Sequence, residues 1–421
     1  MTALVAFAVS TLLWIVFSKR LNDWSVTAPI VLTACGFASS TLLGTGDRIG
    51  SESIRALIEV TLAVVLFVDA SAIGVRWFRT EWQYPVRLLG FGLPLTMLMG
   101  VLAALVIFPG TDVWLLAVIA VALSPTDAAL GVSIIENERI PLWFRRVINV
   151  ESGLNDGLVT PVVSFCIAIA AASVDGVADR PFVSALLEIV GGIGVGLVVG
   201  LVTGRLLRVA VERGLATRSL VSVAPLVVAL ATYLLVVELG GNGFVAAFVC
   251  GVGFGTAARG ARIPSSDGTD SNNEQGVEDE TRVEDELEFT HLTAQLLGFA
   301  VWFVFGESVL GSLSTAHLGQ AVVYAVLSLT VLRMLPVAVS LLGLRLPWDT
   351  VLLAGWLGPR GLASLIFAIL ATDAIGGSDG DFVLTVIATT VAISVVVHGL
   401  SAGPLARWYA ARHPVDVDSV S

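Results

Sequence analysis

Two short polar runs set in apolar sequence hold the residue types that could do chemistry. The first, S-P-T-D-A-A-L-G from Ser124 to Gly131, puts Thr126 beside Asp127. The second, V-E-S-G-L-N-D-G-L-V-T-P from Val150 to Pro161, holds Glu151, Ser152, Asn155 and Asp156. On a helix, residues four apart share a face, so Ser152 stands with Asp156 and, on the adjacent face, Glu151 with Asn155. An ionisable side chain at membrane depth costs at least ~2.5 kcal/mol, so it is paired or lines a polar path. The Asp156 carboxylate, the Ser152 hydroxyl, Asp127, and the backbone or hydroxyl oxygens of Thr126 form a set of hard oxygens that suits a monovalent cation such as sodium. Desolvation disfavours a charged carboxylate and a bound cation restores it. Asp156 is therefore expected to hold a cation or a proton, never both, and exchange follows from that competition. Glu151 needs a basic partner, for which Arg333 is the natural choice. Arg360 lies closer to a second interruption, L-G-P-R-G from Leu357 to Gly361.

The composition says what must position these residues. The chain is 56% hydrophobic and 14% charged, with a mean hydropathy of +0.90, against about 25% charged residues in a soluble domain. It reads as an all-α polytopic membrane protein in contact with the lipid bilayer, with no nucleic-acid partner and no cofactor expected. Apolar segments fall at about 2–18, 27–44, 54–73, 87–108, 113–135, 145–172, 183–207, 218–237, 241–257, 290–310, 318–342, 349–371 and 381–404, thirteen in all. The first lacks a positive leading region and a small-residue cleavage site, so it is expected to span rather than be removed. With the N-terminus outside and the C-terminus cytoplasmic, inner loops and tail carry eighteen basic residues and the outer side only Arg48, Arg55 and Arg180. That asymmetry fits the positive-inside rule, and a multi-pass location in the cell membrane is expected.

Thirteen divides as six, one and six: repeat one at about 2–172, a linker helix at 183–207 and repeat two at 218–404. The fifth segment of each half is interrupted by proline and glycine, at S-P-T-D and at L-G-P-R-G. Paired interruptions in two halves point to a transporter's binding site. The half-helices would bring dipole ends into the middle of the protein, where charged side chains can compensate them. Glycines 192, 196, 200 and 204 lie on one face of the linker helix and predict close helix packing, within the fold or between protomers.

Taken together, S-P-T-D-A-A-L-G, V-E-S-G-L-N-D-G, R-M-L-P-V-A and G-P-R-G-L-A-S resemble the monovalent cation/proton antiporters of the NhaP and NHE type. The resemblance covers essentially the whole chain. It implies a thirteen-helix inverted-repeat fold with broken helices 5 and 12, a core domain that moves against a dimerisation domain, and a homodimer. It implies Asp156 as the ion- or proton-binding carboxylate, Asp127, Thr126 and Ser152 completing the site for the transported sodium, and a Glu151–Arg333 salt bridge. Asn155 before Asp156 matches the electroneutral branch. The chain departs from the commoner pattern at Ala128, where many relatives carry proline, and in a long acidic insert.

The expectation is a sodium or lithium/proton antiporter, not an enzyme, with potassium/proton exchange as the alternative. An intramembrane aspartyl protease using Asp127 and Asp156 is a remote third reading, lacking a G-x-G-D sequence. The remaining polar features read as scaffold. Ten acidic residues against Arg282 between Ser265 and Glu288 predict a solvated cytoplasmic loop over 258–289, with a cytoplasmic tail at 407–421. Asp69 reads as a capping or entrance residue near Arg76, and Glu238 as solvent-facing. The four histidines, 291, 317, 398 and 413, lie at or near segment ends without clustering, and cysteines 35, 166 and 250 read as small buried hydrophobes.

Overall fold

In a computed structural model, residues 2–44, 52–72, 82–127, 137, 139–175, 181–259 and 271–413 are described. Helix occurs in each of the thirteen apolar segments. In chain order they are α1 (Thr2–Asp23), α2 (Ala28–Leu43), α3 (Glu52–Ser71), α4 (Gln83–Ile107), α5 (Val113–Ala122), α6 (Leu142–Asp175), α7 (Pro181–Glu212), α8 (Ala224–Glu238) and α9 (Gly243–Arg259). Then follow α10 (Ser271–Val304), α11 (Leu318–Ser340), α12a (Trp348–Trp356), α12b (Leu362–Ile375) and α13 (Gly377–Arg412). Among the described residues, 7 helices are long and apolar enough to cross a membrane unaided. Helices α5, α12a and α12b are shorter because they are parts of interrupted segments. The continuation of the fifth segment, 128–135, lies outside the described residues.

The acidic run departs from the expected loop: the backbone is helical from Ser271 onward. Glutamate and glutamine are good helix formers, and acidic residues favour the positive end of the helix dipole, so this sequence can extend α10 back from its apolar part.

The chain forms two compact units, Met1–Ile58 with Glu81–Pro181 and Gly298–Ser421 in one, and Glu59–Thr80 with Phe182–Leu297 in the other. In the second unit the glycine face of α7 lies directly on the backbone of α9. A Cβ at Gly192, Gly196, Gly200 or Gly204 would meet the carbonyl oxygens of Asn242, Ala246, Cys250 and Phe254 in turn. Glycines and carbonyls therefore run in step every four residues, and the stripe is occupied within one protomer. Leucine at Gly200 should force the two backbones apart, at about 1–3 kcal/mol for overpacking, read as a lowered unfolding midpoint in detergent. Beside this seam Phe67, Ala229, Cys250, Phe254 and Ala294 form a buried apolar cluster. All three cysteines are free; Cys166 and Cys250 are buried and Cys35 is half-buried.

In the first unit α2 meets the end of α10 through a pair of glycines: a Cβ at Gly36 would strike the Phe303 carbonyl, and one at Gly306 the Thr33 carbonyl. At that crossing α10 passes into a single π-helical turn, Phe305–Val309. Helices α1, α4, α5, α6, α11, α12 and α13 belong to the same unit, and the two polar runs with Arg333 and Arg360 lie among them.

Candidate ion-binding site

Pro125 has no backbone N–H to give a helix and biases the residue before it toward extended backbone. Helix α5 ends at Ala122, and Thr126 and Asp127 follow without helical structure. Across from it, Leu357–Gly361 is irregular between α12a and α12b. The two breaks are hydrogen-bonded to each other: the Asp127 N–H donates to the Pro359 carbonyl at 2.9 Å.

Each break also supplies the charge the other needs. The Arg360 Nη1 donates to the carbonyls of Ser124 at 2.8 Å and Pro125 at 3.0 Å, just beyond the C-terminus of α5. Asp127 Oδ2 accepts the Leu362 N–H at 2.9 Å, at the first residue of α12b. A cation at a helix C-terminus and an anion at an N-terminus both oppose the local dipole and satisfy backbone groups that the helix cannot. Arg360 is fully buried at 0% exposure, and its own N–H donates to Ser394 Oγ on α13 at 2.7 Å. Glycine is required in this crossing for space: a Cβ on Gly361 would land on the Asp127 side chain, and one on Gly358 on that of Arg333. Gly361→Ala should displace Asp127 from α12b, lowering stability by about 1–3 kcal/mol and reducing transport, with unfolding midpoint and vesicle flux measured together.

Helix α6 brings up the second polar run. Glu151, Ser152, Asn155 and Asp156 are all buried, at 2%, 5%, 1% and 9% exposure. Ser152 Oγ donates to the Thr126 carbonyl at 2.5 Å, and Asn155 Nδ2 donates to Thr126 Oγ1 at 2.7 Å. The helix thus grips the break of the fifth segment at one residue from two sides. Glu151 Oε1 accepts from Arg333 Nη2 at 2.6 Å with both side chains buried, as the sequence expects. One turn beyond Asp156, Thr160 Oγ1 donates to the Asp156 carbonyl at 2.7 Å. Pro161 lies inside α6 and cannot donate to the Gly157 carbonyl. Ser152 and Thr160, one turn before and one turn after Asp156, thus share its helix face.

Thr126, Ser152 and Asn155 are thus brought into direct contact, Asp127 and Arg360 cap opposed half-helices, and Glu151 with Arg333 forms a separate pair. Two participants escaped the sequence reading. Ser394 carried no signal beyond being polar in an apolar segment. His398, expected near a segment end, lies inside α13 at 3% exposure, its Nδ1 3.3 Å from Ser394 Oγ and its ring 5.0 Å from that of Trp356. The reason is length: α13 runs on to Arg412, so the apolar segment ends well before the helix does. His413 also has a partner, its Nε2 3.0 Å from Asp349 Oδ2 at the start of α12a. Glu238 is exposed as expected, and Arg76, the neighbour anticipated for Asp69, lies outside the described residues.

Interrupted helices joined at their breaks, with Arg360 at the C-terminus of α5 and Asp127 at the N-terminus of α12b, are the architecture of an inverted-repeat membrane carrier fold. The chain belongs to the sodium/hydrogen exchanger transmembrane family, whose profile matches residues 5–408. It is 26% identical over 369 residues to the K(+)/H(+) antiporter NhaP of Alkalimonas amylolytica, covering 86% of this chain and 59% of that protein. The chain thus spans less than two thirds of that relative's length. Its fold is similar to that of the sodium proton antiporter MjNhaP1 from Methanocaldococcus jannaschii at pH 8, with a TM-score of 0.74 and 16% identity over 95% of this chain and 99% of that one. A second structure of MjNhaP1, from an electron-microscopy map, gives a TM-score of 0.69 at 18% identity, covering 99% of each chain.

Proposed function

We propose that the protein exchanges sodium or lithium for protons across the cell membrane, with Asp156 as the group that binds either one. The observation that carries this reading is the placement of buried Asp156 on the helix that grips Thr126, within the family's span. Ser152 gives its hydrogen to the Thr126 carbonyl, which leaves its oxygen lone pairs to face a cation. Thr126 keeps a second carbonyl lone pair, and Asp127, which accepts the Leu362 amide, adds a second negative charge beside the site. These four residues form the transported ion's site in this reading, with Asn155, Glu151, Arg333 and Arg360 holding it in shape. The ion is cargo, and no resident cofactor is invoked.

A single carboxylate alternating between one monovalent cation and one proton moves no net charge, so exchange is electroneutral. The carrier works as a homodimer with its N-terminus outside and its C-terminus cytoplasmic. Family membership speaks for exchange over peptide cleavage. The potassium reading has its own support in the name of the Alkalimonas relative, since oxygen ligands alone do not separate sodium from potassium.

The test is dissipation of an imposed pH gradient in proteoliposomes on adding lithium, sodium or potassium chloride. Sodium and lithium should collapse the gradient, at a rate unchanged by an imposed membrane potential. Collapse by potassium alone would transfer the assignment to potassium, and no response to any of the three would defeat the exchange reading.

A further inference from the structure

Glu307 is a buried carboxylate that the exchange site leaves unused. It is 7% exposed, lies in the last turn of the apolar stretch Leu287–Val309, and its Oε1 has no hydrogen-bond partner. In the same unit Glu151 is matched by Arg333, Asp349 by His413 and the Thr350 amide, and the half-buried Asp127 accepts the Leu362 amide. Among the described residues no side chain forms an ion pair or hydrogen bond with the Glu307 carboxylate. A carboxylate oxygen buried without a donor or a positive charge opposite it is strongly unfavourable in the charged form, so the group calls for a proton or a cation to neutralise it.

The local backbone is built for that. Glu307 sits in the π-helical turn Phe305–Val309, closed by the Leu310 N–H on the Phe305 carbonyl at 3.1 Å. Single π turns of this kind recur at functional sites. The neighbouring Ser308 hydroxyl is likewise buried without a partner. Gly36 and Gly306 fix the turn against α2, since neither position could accept a Cβ. The carboxylate and the hydroxyl are hard oxygens, the ligands that hard cations take, and one carboxylate carries the single negative charge that a monovalent cation balances.

We propose that Glu307 is a second cation-binding carboxylate, which takes up a monovalent cation independently of Asp156. The experiment measures equilibrium binding of radioactive sodium to the purified full-length protein and to its Glu307→Gln, Asp156→Asn and doubly substituted variants. Each single variant should lose about half of the sodium bound at saturation, and the double variant all of it. If Glu307→Gln binds as much as the parent, the proposal is wrong. If Asp156→Asn binds as much as the parent, the role given to Asp156 fails and that of Glu307 does not. Should Glu307→Gln not fold, as judged by size exclusion, the Asp156→Asn protein decides alone, because the absence of any bound sodium there overturns the proposal. An infrared band of a protonated carboxylic acid, lost in Glu307→Gln and undiminished by saturating sodium, would also overturn it.

Discussion

Asparagine in place of Asp156 should reduce sodium-driven proton movement to the leak of protein-free vesicles while leaving the chain folded. The two side chains have nearly the same shape, and the position is buried on α6 at 9% exposure, so packing is conserved. What disappears is the capacity to accept a proton or to carry the charge that compensates a cation, and no step of a competitive exchange survives that loss. Stability should change little, because a neutral amide costs less to bury than a carboxylate. Asp127→Asn provides the contrast. Asparagine caps a helix about as well as aspartate, so the Leu362 N–H keeps its acceptor. That variant should fold and retain weakened exchange with a higher sodium requirement. Vesicle assays on both variants, with the unfolding midpoint as a control, separate the carrier of the proton from a residue that only lends charge and shape. Full exchange by Asp156→Asn would remove it from the mechanism.

The contrast also shows which parts of the site were legible in sequence. Buried charges in apolar segments announce themselves, because each must be explained by a pair or a path. Glu151 with Arg333 was readable on that ground, and so was the pair of interruptions, since proline and glycine are visible where helix should continue. What the pattern withheld was the use each break makes of the other. Asp127 was expected beside the cation, and the contact it makes is as the cap of α12b. Arg360 was expected near the second break, and its contacts are with the first, on Ser124 and Pro125. Both are long-range contacts between segments more than half the chain apart, and hydrophobic periodicity holds no information on them. The glycine face of α7 was readable as a packing surface, although only coordinates say that its partner is α9. The helical start of α10 was not legible because a dense run of acidic residues suits a solvated loop and a helix of good helix formers alike.

Breaking the Glu151–Arg333 pair should have the largest effect on stability. Removing one partner from a buried salt bridge costs about 3–5 kcal/mol, because the other charge is left without compensation. The two directions are not equivalent here. Arg360 lies within electrostatic reach of both Arg333 and Glu151. Glu151→Gln would leave two buried guanidinium groups facing each other, whereas Arg333→Gln leaves one carboxylate with Arg360 still nearby. Glu151→Gln should therefore be the more destabilising. Replacing both residues by leucine removes the uncompensated charge altogether, and buried pairs exchanged for apolar residues are often neutral or better. The double variant should accordingly unfold at a higher temperature than either single one in detergent. A double variant less stable than both singles would mean that the pair is held by more than mutual compensation. Transport by that protein then separates two roles. Exchange at the parent rate would make the pair a brace for α6 and α11. Loss of exchange in a folded protein would mean that the field of this pair and Arg360 sets how tightly Asp156 holds its proton.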